Sequence, residues 1–284
     1  MDKMIPGVLV RRDSVADALP LLFDSPHSGN VYPEGFETLV ARDVLRQAED
    51  AFVDELYDSA PRTGAAFLAA LFPRVYIDLN RSLADMDPDL VEGGWPEGST
   101  DNFKVRLGMG LIWRTHYPDL PLYPSKLSRD EVMRRIEGYY RPYREELLAM
   151  LDGLHARFGQ VVHVNCHSMP SVSSLKSREG PGKRRPDVVL GDADGASCDP
   201  RLTRLAQDVF EGRGFGVAIN DPYNGADLIR AHSDPAAGRH SLQIEINRAL
   251  YMDETAIAKT PGFGRMREAT TALIAAFADH VRRA

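Results

Sequence analysis

The sequence predicts an α/β protein with a mixed, mostly parallel central sheet flanked by helices. Three apolar runs of strand length, at residues 21–25, 160–164 and 241–246, lead into or carry polar side chains: His27 after the first, His167 after the second and Glu245 within the third. Buried strands look like this where they deliver residues to a site at one edge of a sheet. Segments with helical apolar spacing alternate with these runs, which argues for layered α/β architecture. Several connections are short, so some strand pairs must run antiparallel.

Taken in order, residues 1–18 read as a polar lead-in and residues 21–25 as the first buried strand. His27 follows in a Pro-His-Ser-Gly-Asn turn, where Gly29 permits a backbone course that a side chain would forbid. Residues 42–58 repeat Val44, Leu45, Ala48, Phe52, Val53, Leu56 and Tyr57 at helical spacing, which would put Asp50 and Asp54 on one face. Residues 65–72 and 74–80 read as strands, the second ending in Asp78-Leu79-Asn80-Arg81. Residues 84–124 are rich in Gly, Pro and Asp with little periodicity, an irregular excursion of the kind that lies over a site. Residues 127–158 carry the strongest amphipathic helical pattern, with Pro142 expected to kink or split it. After the central strand come a Ser/Gly/Pro/Lys loop at 171–183, expected to be mobile, a strand at 186–192, a helix at 200–211 and a strand at 216–220. A polar loop at 223–238, the Glu245 strand and a closing helix at 262–282 complete the chain, with no internal repeat.

Apolar residues make up 43% of the 284, enough to build the core of one large domain spanning residues 1–284. Thirty-four Lys and Arg stand against 41 Asp and Glu, a formal charge of -7, and the basic residues make only the short cluster Lys183-Arg184-Arg185. That balance argues against nucleic acid or an anionic membrane and for a small molecule as partner. Cys166 and Cys198 are too few for a disulfide framework, and the N-terminus has no signal-peptide pattern. No apolar stretch reaches the ~18 residues a membrane span needs, so the expected location is the cytoplasm.

The residue types point to metal-assisted chemistry. A catalytic zinc takes three protein ligands, usually His and carboxylate, and keeps a fourth position open. His27 and His167 sit at strand ends between small residues, and a carboxylate could come from Asp50, Glu49 or Asp54. There is no His-Glu-x-x-His, and Asn30 stands where His-x-x-Glu would need its Glu. Glu245, between Ile244 and Ile246, is a carboxylate in an apolar strand, where burial would raise its pKa and suit it to general-base work. A structural Glu245 would instead pair with an arginine such as Arg248, Asp50 alone would be an ordinary solvated helix position, and Arg81 and Arg230 could be plain surface residues. Cys166 beside His167 invites a nucleophile reading, but strand neighbours point to opposite faces and Cys166 belongs to the core.

Pro26-His27-Ser28-Gly29 with Tyr32-Pro33, Asp78-Leu79-Asn80-Arg81, Tyr140-Arg141-Pro142-Tyr143, His167-Ser168-Met169, Val189-Leu190-Gly191-Asp192 and Gln243-Ile244-Glu245-Ile246-Asn247-Arg248 through Glu254 form a collinear series. It resembles the motif series of the N-formylglutamate amidohydrolase family, from about residue 20 to 255. The resemblance implies a zinc-carboxypeptidase/phosphorylase-hydrolase-like fold and metal-dependent hydrolysis of a small N-acyl amino acid, first of all N-formyl-L-glutamate. It further implies Zn2+ or another divalent metal on His27, Asp50 and His167, and Glu245 as base and proton donor. Asn80, Arg81, Arg230, Tyr223 and Ser168 would bind a substrate bearing carboxylates. Asn165 stands where many relatives have Asp, and Gly225-Ala226-Asp227 replaces a more usual Gly-Gly-Tyr. The alternatives are a metallo-carboxypeptidase or amidase acting on peptide-like substrates, and a ligand-binding protein that keeps the fold without catalysis.

Overall fold

The computed structural model describes residues 2–116 and 119–283. The chain opens with a hairpin, Lys3–Ile5 (β1) and Leu9–Arg12 (β2), and then enters Leu21–Ser25 (β3). Short helices Arg42–Leu45 (α1) and Val53–Leu56 (α2) lead to Ala66–Ala70 (β4). The excursion that follows holds Phe103–Arg106 (α3) and a small ribbon of Thr115–His116 (β5) and Leu120–Pro121 (β6). Arg129–Arg135 (α4) and Arg141–Phe158 (α5) precede Val161–Met169 (β7), Val188–Gly191 (β8), Pro200–Glu211 (α6) and Val217–Ile219 (β9). Asp227–His232 (α7), Arg239–Asn247 (β10), the pair Met252–Asp253 (β11) and Ala258–Lys259 (β12), and Gly262–Arg283 (α8) finish it.

Eight strands form one sheet in the order β1-β2-β4-β3-β7-β10-β8-β9. The central run β4-β3-β7-β10 is parallel, while β1 with β2, β2 with β4 and β8 with β10 pair antiparallel, so the sheet is mixed as its short connections require. Each face has its own apolar core. Phe23, Val164, Cys166, Leu242, Ile244 and Ile246 pack against α2, α6 and α8, whose Met266, Ala269, Leu273 and Phe277 recur at helical spacing. Leu22, Leu68 and Ala70 pack on the other side against α4 and α5. The middle of that second face is polar: Asp24, His163, Asn165, His167, Ser241, Gln243 and Glu245 are all buried there. Among the described residues no helix is long and apolar enough to cross a membrane.

The structure departs from the sequence reading in several places. The lead-in at 1–18 contains β1 and β2, whose Leu9 is fully buried against β4. Residues 42–58 are not one helix. The backbone breaks between the turn Arg46–Ala48 and α2, with Glu49 extended and Phe52 at φ 67°. Asp50 and Asp54 therefore share no helical face; Asp50 N–H donates to the His27 carbonyl at 2.9 Å, which ties the break to the β3 turn. Residues 74–80 form turns rather than a strand, because the Asp78 N–H is taken by the Leu111 carbonyl at 2.7 Å and its carboxylate turns inward. Short apolar runs such as Val75-Tyr76-Ile77 carry no period that separates strand from buried turn. Pro142 is accommodated by a π-turn, Ile136–Tyr140, immediately before α5. The polar loop at 223–238 holds α7, and the loop at 171–183 is internally bonded, Ser173 Oγ donating to the Gly180 carbonyl at 2.6 Å.

Gly29 is required by space. A Cβ there would lie 2.3 Å from the Leu71 carbonyl carbon and 2.4 Å from the Phe72 oxygen. Gly29→Ala is expected to lower stability by ~1–3 kcal/mol, the usual cost of overpacking a site that cannot yield. Urea unfolding of the variant would check this, and an unchanged midpoint would show that the 71–72 backbone can move.

Candidate active site

The site is assembled at the C-terminal ends of β3, β7 and β10. β7 and β10 pair in parallel along nine residues, with Asn165 opposite Gln243 and His167 opposite Glu245. Alternation then puts these four side chains on one face and Cys166, Ile244 and Ile246 on the other. His27 comes from the turn after β3, and Asp50 from the break before α2.

His27, Asp50 and His167 converge with their ligand-type atoms within 4.8 Å of one another, all buried. Asp50 Oδ2 lies 3.0 Å from His167 Nδ1 and 3.5 Å from His27 Nδ1, and the imidazole centroids are 4.7 Å apart. The other ring nitrogens are engaged from behind: His27 Nε2 donates to Asp78 Oδ1 at 2.7 Å and His167 Nε2 to Asn165 Oδ1 at 2.6 Å. Such outer contacts orient metal-binding imidazoles. His27 Nδ1 is buried without a hydrogen-bond partner, an arrangement that costs free energy unless something binds it. Tetrahedral ligands at zinc distances stand ~3.4 Å apart, so the two His–Asp separations fit such an ion.

Electrostatics hold the carboxylates in different states. Burial alone would raise the Asp50 pKa, but the hydrogen bond to His167, the nearby His27 ring and the charges of Arg74 and Arg248 hold it well below the usual range. Asp78 is likewise held well below, Arg74 and His27 outweighing its burial. Glu245 goes the other way: burial, aided by the Asp50 charge, pushes it up to about 7 against His167 and the two arginines.

Residues 19–252 match the sequence profile of the N-formylglutamate amidohydrolase family. The chain belongs to that family. A protein of Pseudomonas putida named N-formylglutamate deformylase is 33% identical over 242 residues, covering 84% of this chain and 83% of its own. The crystal structure of an N-formylglutamate amidohydrolase from Ralstonia eutropha JMP134 is 44% identical, covers 98% of this chain and 99% of its own, and superposes with a TM-score of 0.94. A gene product of Agrobacterium tumefaciens, 19% identical with a TM-score of 0.64 over 94% of this chain and 95% of its own, shares the fold.

In this member of the N-formylglutamate amidohydrolase family the remaining expected residues are placed unevenly. Asn80 is buried beneath His167, its amide 3.1 Å from Nε2 and its Oδ1 accepting from the Leu228 N–H at 2.8 Å, so its polar atoms face protein. Arg81 is half-buried and, among the described residues, donates to the carbonyls of Asn80, at 3.0 Å, and Met109, at 3.4 Å. Ser168 accepts from Arg248 Nε at 3.0 Å. Tyr223 stacks under Arg185 at 5.2 Å, its phenol raised by burial. Arg230 is exposed on α7. Of the other candidate carboxylates, Glu49 accepts from Tyr32 and Arg46, away from both histidines. Asp54 lies on α2 and is raised by burial beside Glu55.

One arginine, Arg74, escaped the sequence reading, and a second, Arg248, has another partner than the one weighed for it. Arg74 Nη2 donates to Asp78 Oδ2 at 2.9 Å and its Nη1 lies 3.9 Å from Asp50 Oδ1, while Arg248 pairs with Asp50 Oδ1 at 2.8 Å rather than with Glu245. Charges four apart inside an apolar run, as at Arg74 and Asp78, were the available signal, since such charges are buried only when paired. Below them Asp24 accepts from His163 at 2.9 Å, Asn165 at 2.6 Å and Tyr143 at 2.9 Å. This layer fixes Asn165 and through it the His167 ring.

Proposed function

We propose that the chain is a metal-dependent amidohydrolase that cleaves N-formyl-L-glutamate to formate and glutamate. The observation that carries this reading is the convergence of His27, Asp50 and His167 with Glu245 directly across the β7–β10 pairing from His167. A divalent ion, zinc first among them, would be held by those three residues and would polarise the formyl carbonyl and acidify water. Glu245, its affinity for a proton already raised, takes the proton of the attacking water and returns it to the leaving amine as the C–N bond breaks. Asp78 and Asn165 fix the two imidazoles, and Arg74 and Arg248 keep Asp50 ionised. Arg81, with no carboxylate partner, binds a substrate carboxylate, and Tyr223 lines the Glu245 side of the cleft. One domain suffices, and two free buried cysteines support a cytoplasmic enzyme.

Release of the free amino acid should be followed over a panel of N-formyl, N-acetyl and N-succinyl amino acids, with and without chelator. N-formylglutamate is expected to be the best substrate, with activity lost to chelator and restored by zinc. Inertness of the metal-loaded protein toward every N-acyl amino acid would overturn the reading.

Asp50→Ala should weaken metal affinity at least ~10-fold, measured by competition with a chromophoric chelator. If Glu49→Ala or Asp54→Ala did so instead, the third ligand would be that neighbour. Asp78→Asn, which weakens the hold on His27 without removing a ligand, is expected to cost ~10–100-fold in the same assay.

A further inference from the structure

The reading above needs a cation for each of two substrate carboxylates, and Arg230 is solvent-exposed on α7. A second cation does stand beside Arg81. Met109 bridges the two residues: its N–H donates to the Lys104 carbonyl at 2.9 Å, and its carbonyl accepts from Arg81 Nε at 3.4 Å. Lys104 opens α3 in the long excursion, with Asn102 capping the helix by accepting from the Lys104 and Val105 N–H groups. Its ammonium donates to the Lys176 carbonyl at 3.4 Å and lies 5.9 Å from the centre of the Phe103 ring, and among the described residues it forms no ion pair. The Lys176 carbonyl is itself fixed, since Lys176 Nζ donates to Thr115 Oγ1 at 2.6 Å and to the Leu107 carbonyl at 3.2 Å.

The charged groups facing Lys104 are Arg81, Arg74 and Arg185, with Glu179 the opposing charge. Arg74 is engaged by Asp78, and Arg185 and Glu179 by each other at 2.9 Å. Among the described residues neither Arg81 nor Lys104 has a carboxylate within ion-pair distance, Asp78 and Glu179 being taken by Arg74 and Arg185, so the two stand as adjacent cations, an arrangement that burial penalises and a dianion would relieve. Burial and the three arginines also hold the Lys104 pKa down to about 7, as expected of an ammonium waiting for a counter-charge.

We infer that Lys104 binds the second carboxylate of the substrate, Arg81 binding the first, and so selects N-acyl amino acids with an acidic side chain. This rests on the amidohydrolase reading and deepens it.

The test compares wild type and Lys104→Met on N-formylglutamate and N-formylglutamine, with glutarate and butyrate binding measured by calorimetry on the same metal-loaded preparations. The variant should lose ~10²-fold in kcat/KM for N-formylglutamate while keeping its rate on N-formylglutamine, since removing one member of a desolvated charge pair costs that much. Lys104→Arg should keep part of the preference. An equal fall on both substrates, or an unchanged ratio, would overturn the inference. Should wild type hydrolyse neither compound, the hydrolytic reading fails, and glutarate still decides this one. Glutarate binding ~10-fold or more weaker in Lys104→Met, with butyrate unaffected, supports the site, whereas glutarate binding equally to both proteins, or to neither, refutes it.

Discussion

Glu245→Gln is expected to reduce kcat by ~10²-fold or more while leaving metal content and substrate affinity intact. Glu245 Oε1 accepts from Gln243 Nε2 at 2.9 Å, and a glutamine carbonyl can accept the same bond, so the substitution removes ionisation with little change of shape. The group stands opposite His167, not among its hydrogen-bond partners, so proton transfer is lost and the ligand set is kept. Single-turnover rates and thermal melts on one preparation separate the roles. A structural Glu245 would give a lower melting temperature with kcat per folded molecule unchanged, and a fully active variant would move the base elsewhere. Stability against pH gives a second readout in chelator-stripped protein. Raised from the ordinary 4.5 to about 7, the folded carboxyl holds a proton that the unfolded one releases, so its contribution to stability falls as pH rises through that window. The glutamine variant should lose that part of the pH dependence, and an identical profile would show that Glu245 does not titrate there.

His167→Ala is expected to abolish both the metal and the activity. His167 offers Nδ1 beside Asp50, and its Nε2 is committed to Asn165, so the imidazole is held with one nitrogen toward the cluster. The loss would also leave Asp50 with Arg248, Arg74 and His27 only, and open a cavity in a sheet face where every neighbour is buried. Metal content per folded chain, counted by elemental analysis after gel filtration, reads the ligand role apart from stability. Full occupancy in the folded variant would remove His167 from the set.

The sequence disclosed the strands that matter because their apolar runs are short, fully buried and abruptly polar at the end, as at Val164 to His167. It disclosed Glu245 for the same reason: a carboxylate between isoleucines has few structural uses. What it hid was set by tertiary partners. The helical spacing of Val44 to Tyr57 is real, yet tying the Asp50 N–H to the His27 carbonyl breaks the helix. The apolar run Val75 to Leu79 is buried as expected, but in turns, with the Asp78 N–H taken by the Leu111 carbonyl. Lys104 carries no local signature, and the signatures of Arg74 and Arg248 do not name their partners, since a cation's role depends on which groups the fold sets against it.

The nine-residue pairing of β7 with β10 acts as a ruler. A single residue inserted in either strand between its start and the site would exchange the two faces, sending Cys166 or Ile244 into the cleft and His167 or Glu245 into the apolar core. The spacing of base and ligand is therefore locked to the parity of two strands and cannot be tuned in small steps. The 84–124 excursion, the segment from Ser171 to Arg185 and the approach to α7 lie outside that ruler. Insertions, deletions and altered substrate preference can accumulate in those segments while the chemistry stays fixed, so relatives should differ most there and least in strand length.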